Sequence, residues 1–391
     1  MKSKTMKKGT RISLAGFLLA GMLSIQGSAL AQTHVVGWGG NEYGQATPPA
    51  GLSGVVAIAA GFQHSLALKS DGTVVGWGSP GNPNLNIPAA ASGVVAIATG
   101  FEHSLALKRD GTVVAWGSPG NPNLSIPAAA SGVVAIAAGT FHSLALKADG
   151  TVVGWGGNGS GQANPPDING VVVAIAAGFS HSLALKNDGT VVAWGKNGSG
   201  VADPPSGLSD VIRIAAGDNY SLALKSNGTV VGWSGGFLNW PIPPAGLDDV
   251  VAISAGGVHA LALKRDGTVV GWGHRNLWGQ ATVPTGLSGV LAISAGSIHS
   301  LALVATLPAL VGQVQALSPP LNQGEVNSLT QKLWNAQASL NRGQTNAACG
   351  QLGAATNQIE ALVQSGRLTS AQAAPLVAAV TSVRAPLACR N

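Results

Sequence analysis

The sequence predicts an all-β, seven-bladed β-propeller that is followed by a small all-α domain of three helices. Three observations lead to this prediction: a tryptophan that recurs every 39 residues, three strand-like runs in each repeat, and a repeat divided between the two ends of the array. A period of about 40 residues with several short strands is typical of a propeller blade. The recurring tryptophans are Trp38, Trp77, Trp116, Trp155, Trp194, Trp233 and Trp272.

The extreme N-terminus has the pattern of a secretory signal peptide. A basic head of four lysines and Arg11 precedes an apolar run from Ile12 to Leu23, and a small-x-small site at Ala29 to Ala31 follows. The apolar run is too short for a membrane anchor. We therefore expect residues 1–31 to be removed on export, which places the mature chain in the periplasm or outside the cell. Its expected boundaries are 32–305 for the propeller, 306–320 for a linker and 321–391 for the helical domain.

Each repeat predicts the strands of one blade. A buried first strand is indicated by GVVAIAAG, an alternating second strand by HSLALK and a third strand by TVVGWG. The DGT between the last two is an Asp-Gly hairpin turn. A fourth, short strand that ends at proline is expected from segments such as GQATPP.

The two ends of the repeat array complete each other. HVVGWGG at 34–40 has no preceding HSLALK, and HSLALVA at 299–305 has no following DGTVVGWG. We expect residues 34–40 to pair with residues 299–303 and close the seventh blade, which leaves no exposed sheet edge.

The words GxxHSLAL and VVGWG resemble the regulator-of-chromosome-condensation repeat family. The short 39-residue period is similar to the secreted bacterial branch typified by β-lactamase inhibitory protein II, whose rim loops bind an enzyme. The resemblance implies a seven-bladed ring that binds protein through one rim. Two nearly identical loops, SPGNPNLNIP and SPGNPNLSIP, make β-lactamase inhibition in the strict sense the less favoured form of this function.

Two loops vary from blade to blade within the constant frame. One is the pair before the repeated His or Tyr, and the other follows Trp-Gly; the strand directions place both on the same rim. Aromatic residues concentrate there, and exposed aromatics are common binding anchors. The alternative is that these rings pack between blades. The predicted partner-binding residues are Tyr43, Phe62, Gln63, Phe101, Glu102, Phe141, Phe179, Phe237, Trp240 and Trp278.

The repeated polar residues are expected to be structural. The histidine series (His64, His103, His142, His181, His259 and His299, with Tyr220 in the fifth place) is too widely spread for a metal site, so each imidazole is expected to bond backbone of its own or the next blade. The Asp of each DGT makes the turn, since Asn227 fills the same role. No catalytic motif, cofactor motif or metal site is predicted.

The last segment predicts three helices, at about 323–341, at about 345–364, and after Thr369 or Ser370. The second and third would be antiparallel, which brings Cys349 near Cys389 and predicts a disulfide; two free thiols are the alternative. The segment resembles the small helical domain that is named for a Phe-Ile-Met-Ala-His motif, although that motif is missing here.

These features together predict a secreted, monomeric and non-enzymatic protein that binds an extracellular or periplasmic protein through its aromatic rim. Glycan or envelope binding is the alternative, because aromatic residues also stack on sugars. Export removes five of the 21 basic residues and none of the 15 acidic ones, so the mature chain is nearly neutral and nucleic acid is not an expected partner. No membrane span is expected after signal removal.

Overall fold

The computed structural model describes residues 33–198, 200–234, 242–273, 276–287, 289–304, 307–317, 321–341 and 344–384. The predicted signal peptide, residues 1–31, lies outside these ranges. Within them the chain forms 21 strands followed by four helices. The strands are β1 (His34–Gly39), β2 (Val55–Ala60), β3 (His64–Lys69), β4 (Val74–Gly78), β5 (Val94–Thr99), β6 (His103–Lys108), β7 (Val113–Gly117), β8 (Val133–Ala138), β9 (His142–Lys147), β10 (Val152–Gly156), β11 (Val172–Ala177), β12 (His181–Lys186), β13 (Val191–Gly195), β14 (Val211–Ala216), β15 (Ser221–Lys225), β16 (Val230–Trp233), β17 (Val250–Ala255), β18 (His259–Lys264), β19 (Val269–Gly273), β20 (Val290–Ala295) and β21 (His299–Val304).

The strands form three-stranded antiparallel sheets, one for each repeat, as expected for a β-propeller. We number the sheets in chain order: sheet 1 contains β2 to β4, sheet 2 β5 to β7, sheet 3 β8 to β10, sheet 4 β11 to β13, sheet 5 β14 to β16 and sheet 6 β17 to β19, while sheet 7 contains β20, β21 and β1. The first strands of neighbouring sheets contact each other around the ring, so they line its centre.

The second and third strands of each sheet are joined by the turn that the sequence predicts. In sheet 1, Gly72 has a φ of 83°, and the Asp71 carboxylate accepts hydrogen bonds from the backbone N–H and the hydroxyl of Thr73. Asn227 makes the same two bonds with Thr229 through its amide oxygen. The turn therefore requires the side-chain oxygen and not the charge.

The expected fourth strand is not formed in the described residues, and this prediction was wrong. After β4 and β7 the chain makes short 3-10 turns at Pro83–Leu85 and Pro122–Leu124. Proline lacks the N–H that a strand ladder needs. The segment instead supplies a hydrogen-bond acceptor to the next sheet: the indole N–H of Trp77 donates to the Gln45 carbonyl, 2.9 Å away, and Trp116 bonds the Asn84 carbonyl in the same way.

Sheet 7 contains both ends of the repeat array. β1 lies antiparallel to β21, from the pair His34 and Val304 to the pair Gly39 and His299. Sheet 7 also contacts sheet 1, where the Ser297 N–H donates to the Gly61 carbonyl at 3.0 Å.

The core of the β region is divided between the sheets. Buried leucines and alanines of each second strand pack with the repeated tryptophan and the first-strand valine of a neighbouring sheet; one such cluster joins Leu66, Leu68, Val94, Ala106 and Trp116. Because each cluster joins adjacent sheets, burial of apolar area couples every blade to the next.

The C-terminal helices are α1 (Leu307–Ala316), α2 (Gln323–Asn341), α3 (Thr345–Gln364) and α4 (Ser370–Arg384). The expected linker at 306–320 was wrong in part, because α1 lies within it and makes the domain four-helical. Leu310, Val311 and Val314 of α1 are buried in the common helical core. Pro308 does not prevent the helix because it lies in the first turn, where its missing N–H is not needed.

Helices α2 and α3 have the expected bounds, and α4 begins after Thr369 as the sequence indicates. Thr369 caps α4: its hydroxyl accepts from the Gln372 N–H, and its own N–H donates to the Gln372 side chain. Cys349 is half-buried in α3, whereas Cys389 lies outside the described residues, so the disulfide stays a prediction. None of the helices in the described ranges is long and apolar enough to cross a membrane.

Candidate functional site

The two variable loops of each repeat lie at the same end of the sheets. The N–H of Ser79, just after β4, donates to the Gln63 carbonyl at 3.0 Å, and Ser118 bonds Glu102 in the same way in sheet 2. In sheet 4 the Lys196 N–H donates to the Ser180 carbonyl at 2.8 Å. We call this end of the molecule, which carries both loops, the aromatic face.

Four phenylalanines of sheets 1 to 4 form a continuous arc on the aromatic face. The Phe62 and Phe101 rings are stacked with centroids 4.2 Å apart, and Phe101 and Phe141 lie at 6.4 Å. Phe141 meets Phe179 edge to face at 4.9 Å. Phe62, Phe101 and Phe179 are half-buried, whereas 45% of Phe141 is exposed. These contacts join the rings along the face, so that the ring of each sheet packs against the ring of the next sheet.

The arc borders a cavity of about 140 Å³ at the centre of the aromatic face, which we call the mouth. Its wall contains the first residue of every variable pair: Phe62, Phe101, Thr140, Phe179, Asp218, Gly257 and Ser297. Sheets 1 to 4 therefore give the mouth a largely aromatic side, and sheets 5 to 7 give it a small and polar side.

A ring of glycines holds the sheets close together beneath the mouth. A Cβ on Gly139 would lie 2.4 Å from the Gly178 carbonyl oxygen of the next sheet, which is far inside van der Waals contact. The same carbonyl accepts a hydrogen bond from the Thr140 N–H at 3.1 Å. Any side chain at Gly139 would separate the two strands, which explains the invariance of this glycine among the repeats.

Asp218 is the one acidic residue among the first positions of the variable pairs. Burial raises the pKa of its carboxyl to about 6. Asp218 is not among the residues predicted from the aromatic pattern. Its signal in the sequence is an acid at a position that holds aromatic or small residues in the other repeats.

The remaining predicted residues lie further out or outside the described ranges. Tyr43 and Trp278 occupy equivalent loop positions after sheets 7 and 6, with 38% and 43% of each side chain exposed. Gln63 is half-buried and Glu102 is exposed beside the arc. Ring contacts in the described residues join the four phenylalanines but not Tyr43 or Trp278, so the predicted set divides into an inner arc and two outer aromatics. Phe237 and Trp240 lie outside the described residues.

The repeated histidines bond serine side chains of the next sheet, so the expectation of backbone partners was wrong. His142 Nε2 lies 2.7 Å from Ser182 Oγ, and that hydroxyl donates to the Gln162 carbonyl at 2.8 Å. A hydroxyl has one proton, so the imidazole Nε2–H must be the donor to Ser182. Five further pairs repeat this contact: His64 with Ser104, His103 with Ser143, His181 with Ser221, His259 with Ser300 and His299 with Ser65.

The exception in the histidine series occurs together with a change in the residue that would be its hydrogen-bond partner. Tyr220 replaces the histidine in sheet 5, and the residue that would accept its bond in sheet 6 is Ala260 instead of serine. The longer Tyr220 side chain reaches past Ala260, and its hydroxyl donates to the His259 carbonyl, with the Gly256 carbonyl 3.2 Å away. The paired change at 220 and 260 was the signal, visible in the sequence, that these positions touch.

Burial keeps the ring histidines neutral. It lowers the pKa of His64, His181 and His259 to about 4 and, together with neighbouring imidazoles, that of His103, His142 and His299 to about 3. Within the described ranges no three His, Cys, Asp or Glu side chains converge as a metal site would require. The histidine–serine contacts are therefore suited to joining neighbouring sheets.

The opposite end of the sheets is charged and regular. Lys69 pairs with Asp71 at 3.3 Å, and three further sheets repeat this pair. A groove there is lined by Lys264 and Asp266 of the propeller and by Val363 and Val377 of the helical domain. The described helices therefore lie at the turn end, opposite the aromatic face.

Comparison with known proteins agrees with this fold. The profile of the Regulator of chromosome condensation (RCC1) repeat matches residues 55–82, 94–121, 133–162, 172–201, 211–237 and 250–280. A comparison with curated protein sequences gives no match.

Solved structures share the fold at low sequence identity. Prp20p from Saccharomyces cerevisiae is 18% identical, with 76% of this chain and 96% of that chain covered and a TM-score of 0.60. Yeast RCC1 (Prp20) bound to Kap60 is 19% identical over 79% and 97% of the two chains, with a TM-score of 0.62. The CRINKLY WD40 ectodomain of the Arabidopsis thaliana receptor kinase ACR4 is 21% identical over 64% and 93%, with a TM-score of 0.55.

Proposed function

We propose that this chain is a member of the regulator-of-chromosome-condensation repeat propeller family and a non-enzymatic binding protein that engages a protein partner through its aromatic face. The observation that carries the proposal is the arc of Phe62, Phe101, Phe141 and Phe179, which presents apolar rings at the surface. Rings fixed in place contribute contact area at low conformational entropy cost. Prp20p, which has this fold, binds Gsp1p and histones, so a protein partner has precedent.

A protein fits the arc better than a glycan does. Stacking on a sugar requires a free ring face, and the stacking of Phe62 on Phe101 leaves at most one free face on each ring. Phe141, of which 45% is exposed, is suited to insertion between the side chains of a partner.

Affinity capture tests this proposal. The mature chain and the variant Phe62→Ala/Phe101→Ala/Phe179→Ala are used as baits on culture medium and periplasmic extract, before and after protease treatment. The proposal predicts a protease-sensitive partner that the triple variant loses. Trp334→Ala is the matched control, because it removes a 47% exposed ring from the helical domain and should leave capture unchanged. Equal capture by the triple variant, or capture of polysaccharide alone, contradicts the proposal. A separate inhibition assay with a panel of β-lactamases tests whether the protein is a β-lactamase inhibitor in the strict sense.

We further propose that the mature chain is secreted as a monomer after cleavage behind Ala31, and that sheet 7 closes a seven-bladed ring. The basic head and the short apolar run support export. The pairing of β1 with β21 and the bonds from sheet 7 to sheet 1 support closure. N-terminal sequencing of the exported protein should read from Gln32; a retained N-terminus contradicts export.

A further inference from the structure

The polar side of the mouth contains a carboxylate without a counter-charge. Asp218 is half-buried, and within the described residues its carboxylate forms neither a hydrogen bond nor an ion pair. Burial alone raises its pKa to about 6, so the group is charged at neutral pH. A buried charge that lacks a partner costs free energy, and an incoming cation would lower that cost.

A hydroxyl lies close to this carboxylate in the wall of the mouth. The position that a Cβ on Gly257 would occupy is 2.9 Å from the Ser297 carbonyl oxygen and 3.1 Å from both Asp218 Oδ2 and Ser297 Oγ, so only glycine fits between them. The carboxylate and the hydroxyl can both accept hydrogen bonds from a cationic donor that enters the mouth.

The other side of the mouth suits the apolar part of a basic side chain. Phe179 adjoins Asp218 around the mouth, and Phe62 adjoins Ser297. Methylene stems of lysine and arginine pack on apolar surface while their charged ends reach polar groups, and aromatic rings attract a cation within about 6 Å.

The dimensions of the mouth restrict the occupant. Its volume of about 140 Å³ is smaller than the ~300 Å³ of the smallest typical small-molecule pockets, so it fits the end of one side chain. One carboxylate and one hydroxyl are too few ligands for Ca²⁺, which takes six to eight oxygens.

We propose that the mouth receives a protruding lysine or arginine side chain of the protein partner, with its charged group against Asp218 and Ser297 and its stem against Phe62 and Phe179. This inference rests on the proposed protein-binding function and adds the chemistry of the residue that the partner inserts.

Three tripeptide probes test the inference by calorimetric titration of the mature chain: acetyl-Gly-Lys-Gly-amide, its norleucine analogue and its glutamate analogue. The lysine probe should bind at least about tenfold more tightly than the norleucine probe, which corresponds to one charge-assisted contact. Asp218→Asn should reduce this preference to within about twofold. Asp71→Asn is the matched control on the opposite face, where Asn227 shows that the change is tolerated, and it should retain the full preference.

Three results would overturn the inference: equal affinity for the lysine and norleucine probes, a lysine preference that survives Asp218→Asn, or no binding of the lysine probe at its solubility limit. Thermal unfolding confirms that both variants are folded. A second variant, Ser297→Ala, keeps the carboxylate and removes the neighbouring hydroxyl, and it should also weaken the lysine probe.

The probes separate this inference from the proposed function. If the lysine preference is missing while capture still depends on the phenylalanine arc, the partner binds without inserting a basic residue. If capture is independent of the arc, the protein-binding proposal fails whatever the probes show.

Discussion

At the scale of single residues, neighbouring blades are joined by a relay of imidazole, hydroxyl and carbonyl groups. His142 donates to Ser182, and Ser182 donates to the Gln162 carbonyl, which also accepts from the indole of Trp194. All of these side chains are buried. Loss of one member leaves another polar group buried and unpaired, which costs about 1–3 kcal/mol.

Ser182→Ala should therefore lower the free energy of unfolding by about 1–3 kcal/mol in urea titrations. His142→Tyr/Ser182→Ala should recover part of this loss, because it recreates the natural combination of Tyr220 with Ala260. Ser160→Ala, in an exposed loop, is the control. A double variant that is less stable than Ser182→Ala would contradict the assigned hydrogen bonds between neighbouring sheets.

The ring histidines predict acid instability. Their pKa values are about 3 to 4 in the folded protein, as for His142 and His181, against 6.5 for an ordinary histidine. The unfolded state then binds more protons between these values, so stability is lost as pH falls from about 6.5 to 4. The urea midpoint should decrease steadily over this interval, and a midpoint that stays constant from pH 7 to 4.5 contradicts neutral buried imidazoles.

The Asp218 carboxyl should have the opposite effect on the pH dependence of the free energy of unfolding. Its pKa of about 6 exceeds the ordinary value of 3.8, so the folded state binds more protons and stability from this group is lost as pH rises from about 4 to 6. Tyr220, whose pKa this carboxylate helps to raise, stays neutral throughout. Asp218→Asn should match the wild type near pH 4 and be about 1–2 kcal/mol more stable above pH 7, after allowance for partial exposure. A variant that is less stable at pH 8 would mean that the carboxylate has a stabilising partner.

At the scale of elements, the repeated sequence predicted the three strands of each sheet, but it did not predict the segment that follows them or helix α1. Strand and turn follow from local signals such as alternation and Asp-Gly. The prediction of a fourth strand was wrong because apolar residues around proline resemble the end of a strand, whereas the proline here favours the 3-10 turn at Pro83–Leu85. Helix α1 was missed because Pro308 suggested a linker, and its Leu310 and Val314 are buried only once the other helices are in place.

The glycine ring gives a sharp test of how elements pack. Gly139→Ala should lower the free energy of unfolding by about 2 kcal/mol or more, since its Cβ would lie 2.4 Å from the Gly178 oxygen and the strands must separate. Gly159→Ala is the matched control, because that loop glycine has no atom within 4 Å of its Cβ position. Equal stability of the two variants would show that the first strands are not in such close contact.

At the scale of the whole molecule, the ring brings together residues that are far apart in the sequence. Phe62 and Phe179 are separated by three repeats and border one mouth with Ser297. The sequence indicated which loops share a face, from strand direction. It could not indicate that the Asp218 carboxylate and the Ser297 hydroxyl both lie close to Gly257, because that depends on how adjacent sheets are spaced.

Closure of the ring should be separable from the blades themselves. Removal of residues 33–40 deletes β1 and exposes the edge of β21, so we expect a lower melting temperature and self-association by size-exclusion chromatography. A synthetic peptide of that segment should restore the monomer. An unchanged melting temperature would contradict the role of β1 in closing sheet 7.

Site-specific photo-cross-linking tests the central claim, that the aromatic face binds a protein, most directly. Benzoylphenylalanine at Phe141, an exposed ring of the arc, is compared with the same group at Asp149, an exposed residue at the turn end of the same sheet. Both are illuminated in native extracellular or periplasmic extract. The account predicts one protein adduct from position 141 and none from position 149. An adduct from position 149 alone, or none from either, would contradict it.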